Sequence, residues 1–333
     1  MKGEFEFIRA LRERAPVSSS VTGIGDDAAV FQVAAGKETV ITTDLLVEDI
    51  DFRRTTTTPY LLGHKALAVS LSDIAAMGAR PRWSLTSFGI TSDVWQTDFA
   101  TDFYSGLFEL ANRYGVQLIG GDTSRTDDKI LIDSIVIGEC SANQAVKRTG
   151  AKPGDQIFVT GSLGGAAAGL RLVERGAHLA EQKLDHEDSQ KFDHLLLRQL
   201  RPEPRVGWGI ILGEERLATS MIDISDGLSS DLNHLCEASE TGALIDSSLL
   251  PIDRQVIELC GRRALDPLQL ALHGGEDFEL LFTVKPGDVG RLPRRVDGTQ
   301  LTRIGEIRNH DEGIKISEGA RIWELNPGGW KHF

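Results

Sequence analysis

Acidic residues in this chain recur at the ends of apolar runs, and that placement limits how the chain can fold. They stand in Gly25-Asp26-Asp27, Thr42-Thr43-Asp44, Ser72-Asp73, Gly120-Gly121-Asp122, Asp223-Ile224-Ser225-Asp226 and Gly274-Gly275-Glu276-Asp277. A carboxylate that ends a strand or helix is carried to the edge of a sheet, so folding can bring several together. Convergent carboxylates repel one another unless cations lie between them. Oxygen-rich sites of this kind suit Mg²⁺, which takes a few carboxylates together with substrate phosphates. The pattern predicts a metal-dependent enzyme acting on phosphates.

The 333 residues suffice for two domains with ample core. A formal net charge of −13 argues against nonspecific nucleic-acid binding, which needs a basic footprint. The same charge repels phosphate ligands, and bound metal ions would reverse that sign locally. The cysteines, Cys140, Cys236 and Cys260, are too scattered for a disulfide framework or a zinc site, so a reduced, cytoplasmic setting is expected. Met1 to Arg14 is charged throughout and lacks the apolar core of a signal peptide. No apolar run is long enough to span a membrane.

Residues 4–14 read as an amphipathic helix with Phe7, Ile8 and Leu11 on one face. Strand-like stretches follow at 28–33 and 39–43. Pro59 opens a helical pattern that runs to Met77 and is closed by Gly78 and Pro81. Leu67, Leu71 and Ile74 form its core stripe, with Asp73 displaced from that stripe. Residues 83–90 read as a strand, 94–114 as one helix, and 116–119 and 130–139 as strands. The glycines and proline of 149–155 mark a break. The expected domains are therefore 1–148 and 149–333. The second reopens with a strand at 156–160, a glycine-rich turn and a helix near 166–174. A polar segment at 178–194 reads as surface helices or an insertion. A strand end at 220–223, a helix at 228–238 and strands at 278–284 and 301–307 complete it. Strands and helices mix without strict alternation, which predicts an α+β fold with mixed sheets.

No Walker motif is present, since Gly36-Lys37 is followed by Glu38 and no glycine stands five residues before Gly36. The protein-kinase signature set is also missing. Gly161-Ser162-Leu163-Gly164-Gly165 lacks the dinucleotide-binding spacing, and reads as a tight turn with close helix packing. The glycines of Gly120-Gly121-Asp122 would let backbone approach a phosphate while the aspartate holds its metal; a plain turn is the alternative. Asp27 can cap a turn or bind a cation, and Thr42, Thr43 and Asp44 are either ordinary strand residues or metal ligands. Asp73 sits in small, apolar company, where an unpaired carboxylate is costly; surface exposure is its alternative. Within Asp223–Gly227, Ser225 or Asp226 can cap the following helix, or the turn can present N–H groups and a carboxylate to one ligand. His64, His234 and His273 have no metal-ligand spacing and read as ordinary residues.

Together these segments resemble a known family. Gly3-Glu4-Phe5, GIGDDAAV (23–30), TTDLLVED (42–49), KALAVSLSDIAAMGARP (65–81), LIGGDTSR (118–125), RTGAKPGD (148–155), IDISDGL (222–228), HGGEDFELLF (273–282) and the terminal Gly329-Trp330-Lys331-His332-Phe333 look like the thiamine-monophosphate kinases. The resemblance runs essentially end to end. The wider superfamily includes aminoimidazole ribonucleotide synthetase, selenophosphate synthetase and the hydrogenase-maturation dehydratase.

The resemblance implies a two-domain α+β protein that dimerises through its N-terminal domain, with ATP and several Mg²⁺ ions between the domains. It implies phosphorylation of thiamine monophosphate to thiamine diphosphate by direct in-line transfer. The implied metal ligands are Asp27, Thr42, Thr43, Asp44, Asp73, Asp122, Asp223 and Asp226. The implied nucleotide contacts are Tyr104, Gly121, Asp122, Arg148 and Ser225. Asp51, Glu276 and Trp330 are the implied contacts to the thiamine phosphate, and Asp73, Asp122, Asp223 and Arg148 the implied catalytic set.

Two rival readings remain. An amidine-forming cyclase of the same superfamily would release ADP and free phosphate. An acidic Mg²⁺- or Ca²⁺-binding scaffold would show metal-dependent stability without consuming ATP. The glycines before Asp122 and Glu276 speak against the scaffold, because cation storage needs no close backbone approach.

Overall fold

The strand Lys37–Val47 (β1) alternates between exposed and half-buried residues, so one of its faces is covered and the other is open. It belongs to the first of two units into which the chain divides in the computed structural model. That unit comprises Met1–Ile74 with Ala79–Asn143, and the second comprises Ala75–Gly78 with Gln144–Phe333. The structure describes residues 4–18, 21–24, 28–179, 192–263 and 265–330. Asp27, the tail 331–333 and most of the polar 178–194 segment lie outside the described residues.

In the first unit β1 pairs with β4 (Leu131–Ser141), β4 with β2 (Arg80–Thr91), and β2 with β3 (Gln117–Thr126). The first two pairings are antiparallel and the third is parallel. Helix α1 (Glu4–Arg14) buries Phe7 and Leu11, as its amphipathic pattern requires. Helix α2 (Pro59–Ala76) starts where the Thr58 hydroxyl accepts the Leu61 N–H at 3.2 Å. Its stripe Leu67, Leu71 and Ile74 is fully buried.

A Cβ on Gly63 of α2 would lie 1.8 Å from the Phe103 carbonyl oxygen. A Cβ on Gly106 would lie 1.8 Å from the Tyr60 carbonyl oxygen. Two helices can meet backbone to backbone at such a crossing only where both lack side chains. The crossing fixes α2, which carries Ser70 and Asp73.

Three expectations for this unit need correction. Residues 28–33 form no strand; Val30 only bridges Thr22, and Phe31 stacks on Trp83 at 4.4 Å between ring centres. The helix expected over 94–114 is two helices, α3 (Ser92–Trp95) and α4 (Phe99–Tyr114). Thr97 interrupts it by donating its hydroxyl to the Val94 carbonyl at 2.7 Å, a side-chain bond that competes with the helix ladder. The strand expected to end at Ile119 continues to Thr126, so Gly120-Gly121-Asp122 is not a turn.

The second unit is built on one mixed sheet. Its strands are β5 (Gln156–Thr160), β6 (Ser220–Asp223), β7 (Thr241–Asp246), β8 (Leu280–Val284), β9 (Arg295–Val296), β10 (Thr299–Asn309), β11 (Ile314–Glu318) and β12 (Arg321–Glu324). The order is β12-β11-β7-β10-β5-β8-β6, with β9 beside β10. Among the described strands of this sheet only β11–β7 is parallel. Helix α5 (Gly165–Val173) follows the glycine-rich turn, and the helix Leu228–Ser239 packs Leu228, Leu232 and Leu235 into the core against Ile157, Ile222 and Leu281. The sheet does not end with β8 and β10 as expected. It gains β7, β11 and β12, the last an edge strand exposed along its whole length, whose sequence carries no burial pattern to read.

Candidate active site

In the first unit the structure brings Asp44 and Asp73 together. Thr42 on β1 donates its hydroxyl to Asp73 on α2. Ser70 on α2 donates to Asp44 at 2.7 Å and lies 3.0 Å from the Ser134 carbonyl. Burial, together with the charges of Asp73 and Asp133, pushes the Asp44 carboxyl up to about 6, and the Ser70 hydroxyl only partly offsets them.

Asp133 and Asp122 stand on the opposite side of this sheet. Leu45, Asp133, Ser87 and Asp122 form one row across the four strands. Asp44, Ser134, Thr86 and Gly121 form the adjacent row. Side chains of adjacent rows point to opposite faces. Thr43 therefore leaves the Asp44 side and donates to Asp133 at 2.6 Å. Asp122 is exposed and accepts the N–H of Thr123 at 2.9 Å. Gly121 has a requirement of its own, since a Cβ there would lie 2.1 Å from the Thr86 carbonyl oxygen.

Three more residues of the implied set have surroundings of their own. Tyr104 is 3% exposed among Phe7, Phe88, Phe103 and Phe108, and burial pushes its phenol well above the usual range. Asp51 closes the turn after β1 by accepting the Val47 N–H at 2.8 Å. Arg148 is exposed, and its carbonyl accepts the Ser239 hydroxyl at 2.9 Å.

In the second unit three segments distant in sequence converge on the turn that ends β6. Asp223 is buried at the strand's end, with Ser225 and Asp226 half-buried beyond it. The Glu276 N–H donates to the Ser225 carbonyl at 2.7 Å, and the Phe278 N–H to the Ile224 carbonyl at 2.9 Å. The Trp330 N–H donates to the Asp226 carbonyl at 3.1 Å. Glu276 has φ +64° and accepts a bond from Gln199. Neither Ser225 nor Asp226 caps the following helix, as the sequence reading allowed. Asp231 instead closes the turn ahead of that helix, accepting the N–H groups of Asp226 and Gly227 at 3.2 and 3.0 Å. Burial, and then the Asp226 charge, push Asp231 up to about 7.

Beside this turn lies a buried ionic network. Arg198 bonds Asp277 at 3.1 Å and Glu279 at 2.9 Å, and Arg205 also pairs with Glu279. Asp277 accepts the N–H groups of Gly164 and Ala166 at 2.6 and 3.1 Å, which caps α5. Gly169, inside α5, serves close helix packing: a Cβ there would lie 2.0 Å from the Leu195 carbonyl oxygen.

Sequence reading missed Ser70, Asp133, Gln199 and Asp231. Ser70 had a signal, standing three residues before Asp73 and hence on one helix face with it. Asp133 had one too, as a carboxylate within the apolar run 130–137. Gln199 and Asp231 had none.

Among the described residues no three His, Cys, Asp or Glu side chains gather to hold an ion by themselves. The Asp44–Asp73 pair nevertheless fits a cation that completes its shell with substrate phosphates, since both are oxygen donors pressed together against their mutual repulsion.

The AIR synthase related protein N-terminal domain matches residues 25–140, and the corresponding C-terminal domain matches residues 152–316. Thiamine-monophosphate kinase of Bacillus subtilis (strain 168) is 38% identical over 336 residues, covering 99% of this chain and 99% of that protein. The chain belongs to the thiamine-monophosphate kinase family. The crystal structure of thiamine-monophosphate kinase from Stenotrophomonas maltophilia K279a superposes with a TM-score of 0.81 at 37% identity, covering 94% of this chain and 95% of that one. AaThiL complexed with AMPPCP and TMP gives a TM-score of 0.76 at 31% identity, covering 99% and 97%. As a member of the thiamine-monophosphate kinase family the chain is an enzyme of the kinase class, with the two-domain α+β architecture expected of it. Among the described residues no helix is long and apolar enough to cross a membrane.

Proposed function

We propose that this chain phosphorylates thiamine monophosphate with ATP, giving thiamine diphosphate and ADP by direct in-line transfer. Full-length similarity to thiamine-monophosphate kinases supports the reaction. The single structural observation that carries it is the Asp44–Asp73 pair, two carboxylates braced together by Thr42 and Ser70.

Thr42, Asp44 and Asp73 would hold Mg²⁺ in the first unit, and Asp223 and Asp226 in the second. Asp27, Thr43 and Asp122 also belong to the ligand set drawn from the family resemblance, with Thr43 and Asp122 on the opposite face of the sheet from Asp44. Bound Mg²⁺ would supply charge neutralisation for two phosphate groups that otherwise repel. The chain's own groups supply alignment. Both reactants are phosphates, so the acceptor oxygen is already a competent nucleophile and no side-chain nucleophile is required.

Arg148 offers a forked positive charge to the nucleotide phosphates. Gly121, Asp122 and Ser225 are the other nucleotide contacts drawn from the family resemblance. The burial of Tyr104 weighs against a contact through its phenol. Trp330, 56% exposed and bonded to the Asp226 turn, offers a ring face to the cationic thiazolium. Glu276 and Asp51 complete the thiamine phosphate contacts.

A homodimer formed through the first unit belongs to this proposal. Ile41 and Leu45 on β1 are 64% and 59% exposed, and they share an open sheet face with Leu131 of β4. Apolar patches of that kind mark protein interfaces. A cytoplasmic setting also belongs to it, in keeping with three free, buried thiols.

The test is a coupled assay with ATP, Mg²⁺ and thiamine monophosphate, with thiamine and aminoimidazole precursors as controls. Thiamine diphosphate and ADP in equal amounts are expected. ADP with free phosphate from an aminoimidazole precursor would overturn the reading in favour of a cyclase.

A further inference from the structure

The tail that carries Trp330 is fastened by contacts that none of the site residues accounts for. Leu325 is buried in the core of the second unit. Five residues later Trp330 reaches the Asp226 carbonyl. Between them, successive N–H groups meet successive serines of the helix Leu228–Ser239. Gly328 donates to the Ser229 hydroxyl oxygen at 3.1 Å, and Gly329 to the Ser230 hydroxyl oxygen at 3.1 Å. Both serines are buried, at 0% and 6% exposure.

Ser229 also lies 2.8 Å from His273 Nδ1. Its oxygen accepts from Gly328, and the hydroxyl shares a second hydrogen bond with Nδ1 whose direction the imidazole tautomer sets. Burial holds the His273 imidazole below its usual range, which favours the neutral ring at this contact.

The approach is too close for side chains on the tail. A Cβ on Gly329 would lie 2.2 Å from the Asp226 carbonyl oxygen, and one on Gly328 would lie 2.5 Å from His273 Nδ1. A merely trailing terminus has no need of two adjacent glycines seated on two adjacent buried hydroxyls.

We infer that Ser229 and Ser230 are positioning residues that clamp the Gly328-Gly329 backbone and so set Trp330 against the thiamine moiety of the substrate. The inference rests on the proposed contact between Trp330 and thiamine monophosphate. Ser229 and Ser230 touch no substrate atom; they act through the tail.

The test uses the full chain with the double variant Ser229→Ala/Ser230→Ala, the tail variant Gly329→Ala and the control Trp330→Ala. Hydrogen exchange of the 328–330 amides and the KM for each substrate are measured. In the double variant and in Gly329→Ala the amides should exchange faster. KM for thiamine monophosphate should rise about tenfold, the weight of about 1.4 kcal/mol, while KM for ATP stays within twofold. Unchanged amide exchange in the double variant overturns the clamp. Faster exchange with unchanged KM overturns the positioning role when Trp330→Ala does raise that KM. If Trp330→Ala leaves KM at the wild-type value, the underlying substrate contact has failed, and the positioning role falls with it.

Discussion

Ser70 on α2 donates its hydroxyl to Asp44 on β1 at 2.7 Å. The reverse bond runs beside it, from Thr42 on the strand to Asp73 on the helix. Strand and helix thus each give a hydroxyl to the other's carboxylate. This cross-bracing holds two like charges together in a half-buried place, which a fold without a use for them would not retain.

Asp73→Asn keeps an oxygen that can accept from Thr42 and removes one negative charge. Turnover at saturating Mg²⁺ should fall by more than about 100-fold, since even the partners of metal ligands are worth about 10–100-fold. The melting temperature should stay within about 3 °C, as expected where no buried group loses its partner. Steady-state kinetics beside a thermal melt checks both, and wild-type turnover would remove Asp73 from the site.

Asp44→Asn should separate stability from metal response. The wild-type carboxylate is disfavoured by burial and by Asp73 and Asp133, so the amide should raise the melting temperature in the presence of a chelator. Added Mg²⁺ should raise the melting temperature of the wild type and have little effect on the variant. A variant that gains as much from Mg²⁺ as the wild type would rule Asp44 out as a ligand.

The elements bearing these acids were readable because each rests on a strong local pattern. The Leu67, Leu71 and Ile74 stripe gave α2, and the apolar run at 130–139 gave β4. Ser70 and Asp73, three residues apart, already shared a helix face. The split between Asp44 and Asp122 was not readable, because it depends on which strands pair and in what register. That register places Asp122 beside Ser87 and Asp133, one row away from Asp44. The convergence of residues 223–227, 274–278 and 328–330 was equally hidden, since backbone bonds between remote segments leave no trace in local periodicity. Asp231 illustrates the point: it looks like any acid in a first helical turn, yet it closes the turn before that helix.

Glu279→Gln should be among the most damaging changes in the second unit. Burial alone would raise this carboxyl's pKa, but Arg205 and Arg198 outweigh burial and hold it below the usual range. Removing the charge leaves two guanidinium groups with too little compensation. Breaking a buried pair costs about 3–5 kcal/mol, which urea unfolding would read directly. A loss under about 1 kcal/mol, the worth of an exposed pair, would mean that the network is effectively solvated.

His273 gives the fold a dependence on acid. Burial lowers its pKa below the usual imidazole value, so the unfolded chain binds the proton more readily. Stability contributed by the neutral imidazole is present above that value and is lost as pH falls below it. The melting temperature should therefore drop between pH 7 and pH 5 by more in the wild type than in His273→Gln, which cannot titrate. Parallel profiles for the two proteins would show that His273 does not couple folding to pH.

The crossing of α2 and α4 ties stability to activity through one missing side chain. In Gly63→Ala the added methyl would lie 1.8 Å from the Phe103 carbonyl oxygen, so α2 must move away from α4. Overpacking of this kind costs about 1–3 kcal/mol. Because Ser70 and Asp73 ride on the displaced helix, the cross-brace to Thr42 and Asp44 is strained as well. Turnover should fall even at temperatures where the variant is fully folded. Gly261→Ala provides the contrast, since nothing lies within 4 Å of a Cβ at that helical position. It should stabilise the protein by up to about 1 kcal/mol through helix propensity alone and leave turnover unchanged. If both variants melt and turn over alike, the glycine crossing does not hold the catalytic helix in place.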